Sequence, residues 1–473
     1  MALLIITMPF FAGCSHEEDK PIDKFLSNPS FNKKAIEYLC QNRRYHHGET
    51  WGITGSGQQQ EFNLLKYPDR ESIKRVLDSL HLKFNLVKRE WDSANISTNF
   101  IAQQVNQAIQ TQKEVPWGKC ITAKQFQEYI LPYRIENEQV YDWRLYFKQK
   151  YQWVIDSLKN ETDPVNIYPV IEKEVLKWYR YDYRSSYLSP DQSLDEMLNY
   201  KIGECEDFIA LYCYILRSLG IACTKDMITW GNRNFGHTEI AVIGSDGKFK
   251  VLKQQYFAAG KKPAKVYRRT FSPQPNTLPG IEKNKQNAPS NLYDRFVIDV
   301  TNEYAPAFDV QLTIPQNVKD NVLYACSFNN GRWVAVDWAV LNKNKVIFKN
   351  LVPNVVYLPA IYRQNQFYEI QPPFWINNQG QEISLEINKN DHVNAFINID
   401  IDDIYIPGKL KRDTNYLVFY WDKKWINHSS IIAGSRGIQI TNLPSNTLYL
   451  VINKSMPQTP RIFEIAKNQI VWR

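Results

Sequence analysis

Two side chains stand out for the chemistry they could share. Cys205 lies in KIGECEDFIALYCYILRSLGIAC, Lys201 to Cys223, where a short glycine-containing turn gives way to an apolar run with helical spacing. His237 lies in WGNRNFGHTEIAVI, directly ahead of a strand-like run. A thiol in the first turn of a helix feels unpaired N–H groups and the positive dipole end, and both favour thiolate. The same N–H groups can receive the oxyanion that forms when the thiolate attacks an acyl carbon. That chemistry also needs an imidazole within hydrogen-bond reach, remote in sequence and close in the fold. Cys205 is the candidate nucleophile and His237 the candidate base. Glu206 and Asp207 follow in the first turn, where acidic residues suit the dipole; they read as capping residues whose charge would oppose thiolate formation.

The elements that must position this pair follow from the surrounding pattern. Phe208, Ile209, Leu211, Tyr212, Ile215 and Leu216 predict a buried helix, with Gly220 where a C-terminal cap belongs. TEIAVI and KFKVLKQQYF, joined by Gly244 to Gly247, predict a hairpin. The register set by that loop places Gln254 opposite His237, where its amide would orient the imidazole. Lys253 falls on the other face, and Asp246 sits too far away at the turn. Upstream, from Lys33 to Arg180, the pattern reads as helical. Asp69 caps a run bearing Ile73, Val76, Leu77 and Leu80, and Phe100, Ile101, Val105, Ala108 and Ile109 repeat the spacing. Thr122 with Gln125, and Ser193 with Glu196, have capping-box form, and one helix is expected from Phe147 through Tyr151 to Leu158.

Beyond Tyr293 the chain turns to short alternating strands that repeat. YACSFNNGRW, ending at Trp333, matches YLVFYWDKKW, ending at Trp425, and VIFKNLVPNVVYL matches IQITNLPSNTLYL at the same offset of 92 residues. Tyr324 with Tyr416, Asn350 with Asn442 and Tyr357 with Tyr449 keep that offset too, which predicts two related β-sandwich units. Trp333 and Trp425 read as core anchors rather than ligand platforms.

Gly203-x-Cys205-x-Asp207, Arg217-x-x-Gly220-Ile221 and Gly236-His237 together resemble the transglutaminase-like superfamily. The resemblance implies papain-like geometry, with Cys at a helix start and His and Asp on neighbouring strands. More narrowly, the chain resembles transglutaminase-like lipoproteins of Gram-negative gut bacteria through YILPYRIENEQVYDWR (Tyr129 to Arg144) and KPAKVYRRTF (Lys262 to Phe271). Two departures accompany the likeness: Glu239 stands where an aromatic is usual, and the window VLKQQYF lacks the expected Asp. Tyr133, Arg134 and Trp230 are candidate substrate-binding residues. Arg134 would clamp a carboxylate or, alternatively, form an internal salt bridge with a residue such as Glu138.

The first fourteen residues, MALLIITMPFFAGC, are too short to span a bilayer and resemble a lipoprotein signal peptide that ends at a lipidated Cys14. An acidic tether, SHEEDK, follows. The expected location is the cell envelope, anchored to the outer membrane and facing the surface or periplasm. The other six cysteines are scattered without CxxC pairs, which speaks against a metal site or a disulfide scaffold. A net charge of +8, from 57 basic and 49 acidic residues, is spread along the chain and argues against nucleic-acid binding.

The expected fold is α+β. It comprises a signal peptide (1–14), a tether (15–30), a helical region (31–163) and a transglutaminase-like core (164–271). A linker (272–292) and two β-sandwich repeats (293–382 and 383–473) complete it. Two functions compete. One is a cysteine hydrolase or acyl transferase acting on peptide or amide bonds, without metal or organic cofactor. The other is a degenerate module that binds peptide or glycan through its aromatic-rich sandwiches.

Overall fold

The computed structural model describes residues 19–252, 260–402, 404–406, 409–453, 460–467 and 469–473. The described chain forms two compact units, Met1–Lys225 with Ile240–Leu252, and Asp226–Glu239 with Lys253–Arg473.

The first unit is mainly helical: α1 (Pro29–Asn42), α2 (Arg70–Ser79), α3 (Thr98–Glu114), α4 (Ala123–Tyr129), α5 (Trp143–Lys150), α6 (Gln152–Ser157), α7 (Tyr168–Val175), α8 (Leu194–Tyr200) and α9 (Cys205–Ser218). The caps are where the residue types put them. Asp69 Oδ1 accepts from Ser72 N at 2.7 Å, and Thr122 with Gln125 and Ser193 with Glu196 close as reciprocal capping boxes. Two expectations fail. The helix predicted from Phe147 to Leu158 breaks at Tyr151 (φ −112°, ψ 17°), whose ring is buried against Phe147. The region 31–163 also holds an antiparallel sheet, β1 (His47–Gly55) paired with β2 (Lys83–Trp91). β2 is exposed along most of its length, so no apolar stripe marks it in the sequence.

α9 runs through the core of this unit. Phe208, Ile209, Leu211, Tyr212, Ile215 and Leu216 pack with Trp143, Phe147, Tyr168 and Tyr179. Gly220 adopts φ +73° and Ile221 N–H donates to Leu216 O at 2.9 Å, so the helix ends in the predicted glycine cap. Then come β3 (Cys223–Trp230), β4 (Gly236–Ile243) and β5 (Phe249–Val251). β4 and β5 form the predicted hairpin, but Ala241 faces Val251 and Ile243 faces Phe249, one residue away from the expected register.

In the second unit, β3 from Asp226 onward pairs antiparallel with β6 (Pro263–Arg269), which in turn pairs with Val297–Asp299. The two repeats share one plan. In the first, strands run in the order Arg332–Val340, Val322–Asn329, Val356–Arg363, Phe374–Ile376, Glu382–Ser384. In the second the order is Trp425–Ile432, Asn415–Trp421, Tyr449–Asn453, Phe463–Ala466, Gln469–Trp472. Each sheet faces a two-stranded partner, Phe308–Thr313 with Lys345–Leu351 and Asn388–Asn398 with Gly437–Ser445, across an apolar core. Trp333 and Trp425 join Phe328 and Trp421 in an edge-to-face cluster between the repeats, the core role expected of them. The 272–292 segment is less a linker than part of this packing, because Leu278, Ala288 and Leu292 are buried in the same cluster.

Candidate functional site

Cys205 is the first residue of α9, half-buried, with a free thiol. The turn ahead of it is tightly specified. Lys201 closes α8 in the left-handed region (φ 56°), and Arg180–Tyr181 pairs in parallel with Ile202–Gly203. A Cβ at Gly203 would lie 2.3 Å from Tyr179 Oη and 2.6 Å from Asp207 Cβ, so the glycine of the Gly-x-Cys motif is a packing necessity. Glu204 N–H donates to Asp207 Oδ2 at 2.8 Å, which makes Asp207 a capping residue as expected. Burial, followed by Glu206 and Asp191, pushes the Asp207 carboxyl well up. A carboxyl held towards its neutral form weakens the repulsion that two acidic neighbours would impose on a thiolate.

Around this turn Tyr181 and Tyr183 stand exposed, edge to face at 5.2 Å. Burial, the hydrogen bond with Tyr183, and the nearby Glu204 and Cys205 raise the Tyr181 phenol. Glu136 is salt-bridged to the buried Lys225 at 2.7 Å. Asp191 lies close to that pair; burial and the charge of Glu136 push its carboxyl up to about 7. Cys213 and Cys223 are fully buried and free.

Two substrate-binding expectations are corrected in the same unit. Arg134 is 2 % exposed and forms the internal ion pair, with Asp92 rather than Glu138: Nη2 to Oδ1 is 2.6 Å and Nε to Oδ2 is 2.7 Å. Its Nη1 donates to the carbonyls of His47, Glu136 and Glu138. Burial opposes the guanidinium charge, but Asp92 and Glu138 outweigh it and hold the pKa above its ordinary range. Tyr133 is fully buried and donates to Asp92 Oδ2 at 2.8 Å. Neither side chain has a face left for a substrate.

His237 belongs to the second unit, at the start of β4. Its Nε2 lies 2.6 Å from Oε1 of Glu239, which is 3 % exposed. Residues two apart on a strand share a face, which puts this carboxylate where it can accept from Nε2–H. The carboxylate beside His237 comes from Glu239 on the same strand, and the His-x-Glu alternation is the signal that points to it. Trp230 stacks on His237 with ring planes 15° apart and centroids 6.3 Å apart. At 5 % exposure the indole supports the imidazole instead of offering a substrate platform, which corrects the third binding expectation. Gln254 and Cys14 lie outside the described residues. The observed register removes the pairing argument that had selected Gln254.

Each unit carries a cleft. One of about 850 Å³ in the first is lined by Trp51, Gln59, Phe62, Tyr187 and Asn199, among others. One of about 610 Å³ in the second includes Tyr267, Gln274, Asn276, Asn291 and Trp338. Among the described residues no three His, Cys, Asp or Glu side chains gather as metal ligands, and no helix is long and apolar enough to cross a membrane.

Residues 132–231 match the family model described as the transglutaminase-like superfamily. The matched stretch contains Cys205 and its helix and stops six residues short of His237. No curated protein matches the chain.

Proposed function

Starting from that transglutaminase-like domain, we propose that the chain is a thiol-dependent hydrolase or acyl transferase of peptide or amide bonds. The observation that carries this reading is the His237–Glu239 pair, 2.6 Å apart. A carboxylate on Nε2 orients the ring and stabilises the imidazolium that forms. Cys205 at the first position of α9 adds the helix N-terminus.

In this reading the Cys205 proton passes to His237 and the thiolate attacks the acyl carbon, forming an S–C bond. The oxyanion is met by N–H groups of the first turn of α9. As the C–N bond breaks, imidazolium returns its proton to the leaving amine. Water or a second amine, deprotonated by His237, then attacks the thioester and releases Cys205.

The cleft lined by Tyr267, Trp338, Asn276 and Asn291 supports a second reading, in which the second unit binds a peptide or glycan through aromatic faces and side-chain amides. The two readings separate on one assay. Intact-mass spectrometry after mixing with an activated acyl ester should show one acyl group on wild type and none on Cys205→Ala or His237→Ala. Acylation of Cys205→Ala to the same extent would refute the catalytic reading and leave binding. We also propose a lipid anchor at Cys14, supported by the apolar run that ends there. The same spectrum of membrane-extracted protein should show residues 1–13 removed and fatty acyl mass on Cys14; an intact, unlipidated N-terminus contradicts it.

A further inference from the structure

The loop that leads into His237 is built by residues far away in sequence. From Trp230 to Phe235 the backbone carbonyls turn toward two buried side chains. Asn329, in the first repeat, donates from Nδ2 to Trp230 O (3.1 Å), Arg233 O (3.4 Å) and Phe235 O (2.8 Å), and its Oδ1 accepts from Phe235 N at 2.7 Å. Arg461, in the second repeat, donates to Gly231 O (2.5 Å), Arg233 O (3.2 Å) and Asn234 Oδ1 (3.2 Å), with further bonds to Phe328 O and Arg473 O. Arg461 is fully buried, and the bonds it makes to the loop go to backbone carbonyl and side-chain amide oxygens. A buried cation with such a partner set is costly unless every bond is made, so its geometry is closely fixed.

What these bonds hold is strained. Phe235 has φ +67°, a conformation a bulky side chain rarely adopts, and its ring is 68 % exposed. Asn329 ties down both its N–H and its C=O. Gly231 is pressed against Val355 of the first repeat so closely that a Cβ would lie 2.5 Å from the valine methyls. Strain kept this close to a candidate base suggests that the surrounding structure over-determines the loop.

We infer that Arg461 and Asn329 are positioning residues for His237: they hold the Trp230–Phe235 loop so that Trp230 stacks on the imidazole and its ring keeps one orientation. The two β repeats then serve to position the candidate base and are not appended binding modules. The inference rests on the acyl-transfer reading given above.

The test is the rate of Cys205 alkylation by iodoacetamide against pH, resolved by peptide mass spectrometry. It compares wild type, His237→Ala, Arg461→Met, Arg461→Lys, Asn329→Ala and the double variant Arg461→Met/His237→Ala. Tyr449→Phe, which loses a bond to Pro444 O in the second repeat, controls for general loosening. Arg461→Met and Asn329→Ala should lose the His237-dependent reactivity at about pH 6 by about tenfold or more. Arg461→Lys should recover part of it, Tyr449→Phe should keep it, and the double variant should match His237→Ala alone. That non-additivity is what a role exercised only through His237 requires. Unchanged profiles in Arg461→Met and Asn329→Ala, or full additivity, would overturn the inference. If Arg461→Met fails to fold, Asn329→Ala and Arg461→Lys decide. A wild type identical to His237→Ala overturns the acyl-transfer reading, and this inference with it, and is distinguishable because it shows before any loop variant is compared.

Discussion

At the scale of single residues, side chains around the candidate site act in pairs, as His237 does with Glu239 and Arg134 with Asp92. Cys205 at a helix start and His237 before a strand follow from local pattern. Glu239 did not, because the expected partner was an Asp on another strand, whereas alternation along β4 supplies a carboxylate two residues on. Arg134 was recognised as one of two things, clamp or ion pair, and its burial beside Asp92 selects the second. Asp191 gives a prediction at this scale. In the unfolded chain its carboxyl titrates near ~3.9, while in the folded chain it is pushed up to about 7. Between those values the folded state binds the extra proton, so stability falls as pH rises from about 4 to about 7. Asp191→Asn removes that proton uptake. It should melt above wild type at about pH 8, with the gap closing toward about pH 4. Thermal unfolding across that range checks it, and parallel curves for the two proteins would contradict it.

At the scale of elements, caps were read well because they depend on a few side chains within one turn. Asp69, Thr122 with Gln125, Ser193 with Glu196, and Gly220 all do what their types suggest. The β1–β2 sheet and the break at Tyr151 were not read, since an exposed strand carries no alternation and a buried Tyr looks helical from periodicity alone. The hairpin register differs by one residue from the expected one, and Gln254 itself lies outside the described residues. Buried arginines tie together the elements at the C-terminal end of α9. Arg144 donates to Arg217 O, and Arg217 donates to Arg134 O and Cys223 O, joining the LPYR segment to α9 and β3. At the other end of α9, the turn ahead of Cys205 leaves no room at Gly203. Gly203→Ala should cost about 1–3 kcal/mol of stability, as overpacking does, measured by urea unfolding. A variant as stable as wild type would mean that Tyr179 and Asp207 can move aside.

At the scale of the molecule, the repeat was the clearest long-range signal, and its landmarks have physical causes. Asn350 and Asn442 adopt φ 48° and 60°, and Asn354 and Asn446 adopt 60° and 52°, left-handed positions where Asn is favoured. Tyr357 Oη accepts from Val352 N and Tyr449 Oη donates to Pro444 O, each reaching back five residues to close the same corner. What sequence could not show is the division of the chain, which falls inside β3 and β4 and assigns Cys205 and His237 to different units. The reading proposed above makes the reactivity of Cys205 depend on His237. Site-resolved alkylation against pH tests it most directly, with the exposed Cys120 as an internal reference thiol. The account predicts that Cys205 reacts at about pH 6 at least tenfold faster than Cys120. His237→Ala should remove that advantage, and Glu239→Ala should remove most of it. A wild-type Cys205 that follows Cys120 across the whole pH range would contradict the account.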